Sequence, residues 1–175
     1  MRDTAKRLMD LAEARMREAG YHGFSFRDIG AEAGITSASV HHHFPTKAGM
    51  AAAIMQRHKA RFAACVAPRP GECAQDVITA YRSAFRDALH GRGGMCLGGM
   101  LGAESGGLPP LLHDEVEQFF HDCIEDLACR IGGADARNRA FAIMALLEGG
   151  LILAQVYKDA AAFDHATAAL LAPEG

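Results

Sequence analysis

Between residues 25 and 46 the chain is punctuated so densely by helix-starting and helix-stopping residues that little freedom of fold remains. Ser25 stands three residues before Asp28, a capping-box-like start in which the hydroxyl can accept an early amide and the carboxylate favours the helix dipole. A helix over residues 26–33 follows, stopped by Gly34. Thr36 can cap a second short helix over residues 37–44, and Pro45 then forces the chain out of helical conformation. Two short helices joined by a glycine-containing turn spell a helix-turn-helix.

The remaining sequence has helical periodicity almost throughout and no alternating, β-branched, turn-bounded stretch, so the expected class is all-α with about nine helices. Leu8, Leu11, Ala12 and Met16 recur on one side of a first helix over residues 3–19, which Gly20 stops. Ile29, Ala33, Val40, His43 and Phe44 are expected inside the first three helices. Thr46 can cap a fourth helix running to about residue 64, and Pro68 and Pro70 break the pattern. Further helices are expected over residues 72–89, 108–130, 134–158 and 163–171. The segment 91–107 holds eight glycines and should be a loop with one short helix around residues 100–104. The organisation is therefore residues 1–46 as one domain, 47–68 as a connecting helix and 69–175 as a second domain.

Half of the 175 residues are hydrophobic and 22% are charged, which excludes a disordered or fibrous chain. The formal charge of −3 conceals an asymmetry. Residues 1–62 carry ten basic against six acidic side chains, and the remainder carries eight against fifteen. One part is suited to approach a polyanion and the other is not. The five cysteines have no C-x-x-C spacing and follow no secretory signal, so they are expected as reduced thiols in a cytoplasmic protein. The nearly uncharged run 140–156 contains Glu148, Gly149 and Gly150, which fits a buried helix better than a membrane span.

These residues carry a resemblance. The order Glu18-Ala19-Gly20-Tyr21, Phe26-Arg27-Asp28-Ile29-Gly30, Ala33-Gly34-Ile35-Thr36 and Val40-His41-His42-His43-Phe44, with Lys47 three residues on, resembles the DNA-binding domain of the TetR (tetracycline repressor) family of bacterial regulators. The resemblance implies an N-terminal three-helix domain that reads DNA. It also implies a helical C-terminal domain that dimerises and binds a small-molecule inducer.

A recognition helix must present short polar groups that approach base edges unobstructed. Ser37, Ala38, Ser39, His41 and His42 offer such a face; Thr36 and Lys47 are placed for phosphates, and Ser25 and Arg27 for further backbone contacts. His41 stands where the family usually has tyrosine. Consecutive histidines on a helix diverge by about 100° each and cannot converge on one metal ion. His113, Glu117, His121 and Glu125 share one helix side, the wet side of an amphipathic helix; the competing reading is an all-α metal-dependent enzyme using His113 and His121. No catalytic residue, metal or cofactor is expected.

The segment 95–104, followed by Leu108-Pro109-Pro110, resembles that of a subset of the same regulators, some of which sense electrophiles or oxidants at the position of Cys96. Arg92 would have to lower its pKa. The resemblance puts a ligand pocket among the C-terminal helices, with Tyr81, Phe85, Cys96, Met100, Phe119, Phe120, Cys123, Met144 and Glu148 as candidates. Their walls suit an apolar or aromatic inducer. Glu148 can be a pocket group or an interface charge. Phe141, Leu147, Leu151, Ile152 and Val156 cover too much of the last long helix for one-sided packing, so a homodimer interface is expected there, and a two-fold dimer implies a palindromic operator in double-stranded DNA.

Overall fold

The computed structural model describes residues 2–90 and 94–171, and among them there is no strand. Nine α-helices are described: α1 (Arg2–Ala19), α2 (Phe26–Ala33), α3 (Ser37–His43), α4 (Lys47–Cys65), α5 (Ala74–Ala88), α6 (Leu97–Gly102), α7 (Pro110–Ile131), α8 (Ala136–Tyr157) and α9 (Ala160–Ala166). Short 3-10 turns occupy Tyr21–Gly23, Ser105–Gly107 and Ala168–Leu171.

The expected caps form. The Ser25 hydroxyl accepts from the Asp28 amide at 3.2 Å, Thr36 accepts from Ser39 at 3.2 Å, and Thr46 accepts from Gly49 at 3.0 Å. Gly34 ends α2 at φ +72°, a left-handed conformation open to glycine. Gly30 lets the turn pass close, since a Cβ there would sit 3.0 Å from the Ile35 carbonyl oxygen. Leu8, Ala12, Met16, Ile29 and Val40 are fully buried where α1, α2 and α3 meet.

Helix α4 joins this unit to the rest, packing on α1, α5, α6 and α7. Its Phe62 meets the rings of Tyr81, Phe85 and Phe119 edge-on at centroid distances of 5.5, 5.6 and 5.4 Å. Such aromatic pairs contribute roughly 0.5–1.5 kcal/mol each beyond their buried area. The same junction holds a charged cluster. Glu13 accepts from Arg57 at 2.7 Å, Arg61 at 2.5 Å and Arg17 at 3.0 Å, while Arg57 also holds Asp10. Lys59 reaches Glu115 on α7. With Arg15, which pairs with Glu32 of α2 at 3.2 Å, five of the ten basic residues of the first third are committed to internal or inter-helix pairs.

Several expected bounds shift, α7 beginning at Pro110 rather than 108 and α8 at Ala136 rather than 134. The short helix of the glycine-rich segment lies at Leu97–Gly102 rather than 100–104, because Gly98 and Gly99 are helical: a Cβ on Gly98 would strike the Phe119 ring. Asp159 caps α9 through the Ala161 amide at 2.9 Å, so the last helix begins at Ala160 and not at 163. Helix α5 begins at Ala74 rather than 72, because Glu72 is drawn to Arg130 at 2.9 Å. Arg92, expected beside Cys96, lies outside the described residues.

Helix α8 is long and apolar enough to cross a membrane by length and composition alone, with mean hydropathy 1.7. One side of it packs in the core through Ala140, Ile143, Met144, Leu147, Leu151 and Ala154. The other side exposes Phe141, Leu146, Ile152, Leu153, Val156 and Tyr157.

Candidate DNA interface and ligand cavities

Helix α3 is held by one fully buried side chain, Val40, while Ala38, Ser39, His41 and His42 are exposed and Ser37 is half-buried. The Thr36 and Ser39 hydroxyls lie 3.0 Å apart at the helix start. The His41 ring packs edge-on to Phe26 at 4.7 Å, with Nδ1 3.4 Å from the Pro45 carbonyl oxygen. A carbonyl only accepts, so Nδ1 carries the proton and Nε2 is left for another partner. His43 and Phe44 are half-buried.

Arg27 is exposed on α2. Ser25 donates to Asp28 at 2.6 Å, so its hydroxyl is engaged locally. Lys47 is folded back, its Nζ 4.5 Å from the Tyr21 ring centroid and 4.6 Å from that of Phe24. Partial burial lowers its pKa, and Glu104 opposes the shift. The sequence marked Lys47 for its charge but carried no sign of these rings.

The candidate ligand residues do not converge on one cavity. Phe85 and Cys96 line a cavity of about 480 Å³ between α1, α4 and α5, together with Glu13, Arg17 and His58. Tyr81, Phe119 and Cys123 line another of about 220 Å³. Phe120, Met144 and Glu148 line a third of about 820 Å³, with Phe141, Val116 and Ile124. Met100 is half-buried and lines none of these three. The Tyr81 hydroxyl is already spent on Asp126 at 2.7 Å.

Cys96 is buried, its sulfur 3.9 Å from His58 Nε2. Arg17 donates to His58 Nδ1 at 3.3 Å, which leaves the ring proton on Nε2. Burial foremost, and then the Arg17 charge, bring His58 down to about 4, so the ring is neutral. Burial foremost, and then the charge of Glu148, raise the Cys96 thiol well above its ordinary value. A protonated, enclosed thiol is a packing group rather than a nucleophile.

Glu148 is the outlier. Burial raises its carboxyl to about 7, with Cys96 only partly opposing the shift. Its oxygens meet no hydrogen-bond partner of good geometry, and the nearby Cys96 thiol is a weak donor. A Cβ on Gly99 would overlap this carboxylate, so the glycine leaves it room.

Among the candidate interface residues, Phe141, Ile152 and Val156 are exposed, whereas Leu147 and Leu151 are fully buried within the chain itself. His113, Glu117 and His121 line the third cavity, and Glu125 lies outside it, paired with Arg137. Among the described residues no three His, Cys, Asp or Glu side chains are grouped to hold a metal ion.

Sequence reasoning missed the clip between the two halves. The Tyr21 amide donates to Glu104 at 2.7 Å, and Arg17 donates to the Met95 carbonyl at 2.7 Å. Both acceptors flank α6. Partners about eighty residues apart leave no mark in local pattern.

A buried anchor, an exposed short-residue face and a tight glycine turn define a helix-turn-helix DNA-binding protein. Residues 8–54 match the family model described as bacterial regulatory proteins, tetR family. No curated protein sequence matches the chain. The chain is similar to a solved TetR transcriptional regulator from Legionella pneumophila, at 29% identity and TM-score 0.86, covering 94% of this chain and 93% of that one. It is similar at 26% identity and TM-score 0.83 to one from Chloroflexus aurantiacus, covering 97% and 93%. It shares the fold of another from Agrobacterium tumefaciens, at 24% identity and TM-score 0.90, covering 97% and 96%. Residues 8–54 thus match the N-terminal domain of the tetR family, and the chain as a whole has the fold of solved TetR transcriptional regulators.

Proposed function

We propose that this regulator is a homodimeric repressor, without enzymatic activity, that acts in the cytoplasm and releases a palindromic operator when a small-molecule inducer binds. The observation that carries the DNA half is the exposed face of α3 standing on a single buried anchor. Residues 1–46 would form the reading domain, 47–68 the connecting helix and 69–175 the dimerising, ligand-binding domain. Ser37, Ala38, Ser39, His41 and His42 would face base edges, with Thr36, Ser25, Arg27 and Lys47 at phosphates. Lys47 would swing from its rings to do so.

The free side of α8 supports the dimer. An apolar row of Phe141, Ile152, Leu153, Val156 and Tyr157 on a single helix is what a self-complementary two-fold interface uses. The third cavity supports ligand response, because Gly99 and Gly102 of α6 line it while the flanks of α6 clip α1. A ligand that shifts α6 would thereby reach the reading domain. A coupling of about 3 kcal/mol changes operator affinity roughly 150-fold, enough for release. A thiol switch at Cys96 is disfavoured by that residue's burial and raised pKa.

Selection from random duplex DNA with the purified protein tests the reading. Enrichment of an inverted repeat, with half-sites about one helical turn apart, is expected. Recovery of no common sequence would refute it.

A further inference from the structure

The third cavity has an unusual electrostatic floor. Its walls are largely apolar, with Phe120, Phe141 and Met144 prominent, yet Glu148 is among its lining residues. Both carboxylate oxygens are buried, and apart from the nearby Cys96 thiol, a weak donor, no group is placed to satisfy them. Leaving such a group buried costs free energy that an apolar residue at this position of α8 would avoid. The fold nonetheless accommodates it, since Gly99 beside it leaves room that a Cβ would take from the carboxylate in this position.

Few other charges could compensate it. Among the lining residues the sole arginine is Arg137, which pairs with Glu125 and lies 5.8 Å from the Phe141 ring. The other ionisable lining groups are His113, Glu117 and His121. An anionic ligand would meet Glu148 and Glu117. A neutral apolar ligand would fill the walls and leave the carboxylate oxygens unpaired. A protonated amine on an apolar or aromatic body would satisfy both demands at once, donating hydrogen bonds to Glu148 while the apolar walls cover its body.

We infer that this cavity takes a hydrophobic amine in its ammonium form, with Glu148 as the counter-ion. The inference rests on the ligand-responsive reading for its biological sense, but the site itself is defined by Glu148, Gly99 and the apolar walls. Binding gives the carboxylate a charged donor in addition to the weak Cys96 thiol and fills the space beside α6.

The test compares two fluorescent probes of nearly the same shape on the intact protein at about pH 7.5, where an alkylamine is protonated. They are 2-naphthylmethylamine and 2-naphthylmethanol. The amine should bind about tenfold or more tightly than the alcohol, and Glu148→Gln should abolish that preference. Equal affinities in the parent protein, binding of neither probe, or a preference that survives Glu148→Gln would each overturn the inference. The comparison in the parent protein depends on no variant folding. Operator selection on the same preparation separates this from the broader reading: an intact operator without amine preference removes only the ligand class, and amine preference without an operator removes only the DNA reading.

Discussion

Two glutamates with buried carboxylates, Glu13 and Glu148, are handled in opposite ways, and pH separates them. Burial acts to raise the Glu13 carboxyl, but Arg57, Arg17 and Arg61 outweigh it and hold it at about 2, below its ordinary 4.5. A depressed folded-state value means stability that is present above 4.5 and lost as pH falls toward 2. The shift corresponds to about 3 kcal/mol. Glu13→Gln should flatten the acid side of a stability curve measured by urea unfolding, and an unchanged acid limb would contradict the cluster's role. Glu148 has the reverse sign. Its folded value of about 7 means that the folded state keeps a proton the unfolded chain releases, so stability falls as pH rises from 4.5 to 7 and then levels. Glu148→Gln should remove that decline, worth about 3 kcal/mol by pH 8. A decline of undiminished size would show that another group causes it.

At the scale of elements, what could be read from sequence depended on how local the cause was. Helices α1 to α4 follow from caps and stops within a few residues, so Ser25, Gly34, Thr36 and Pro45 located α2 and α3 almost residue by residue. Helix α6 was displaced because its glycines answer to Phe119 and Glu148, side chains of α7 and α8 that approach only in the fold. Helix α8 is apolar all round, so its sequence shows that it is covered on several sides without showing which residues face which partner. Leu147 and Leu151 consequently face the chain's own core, and the free row includes Leu153 and Tyr157 instead. The candidate ligand residues divided among three cavities for the same reason. Placing a charge in the free row tests its use: Ile152→Glu should convert a dimer to a folded monomer in analytical ultracentrifugation, with helical circular dichroism retained. A dimer that survives the substitution would show that the row is not the interface.

For the whole molecule, the charge asymmetry of the sequence acquires a different meaning. Arg17, Arg57 and Arg61 spend their charge on Glu13 and Asp10, and Lys59 on Glu115, so much of the basic first third braces the junction rather than facing outward. With few outward cations per chain, a single reading domain should hold DNA weakly, and affinity should depend on two domains engaging together. The clip from α6 to α1 would then control the separation of those domains. The most direct test of this account is a DNase I footprint of the purified protein on its selected duplex, repeated with His42→Glu in α3. The account predicts two protected half-sites about one helical turn apart, and their loss in a variant that remains folded and dimeric. Protection that persists in His42→Glu, or that covers a single half-site at saturation, would contradict it.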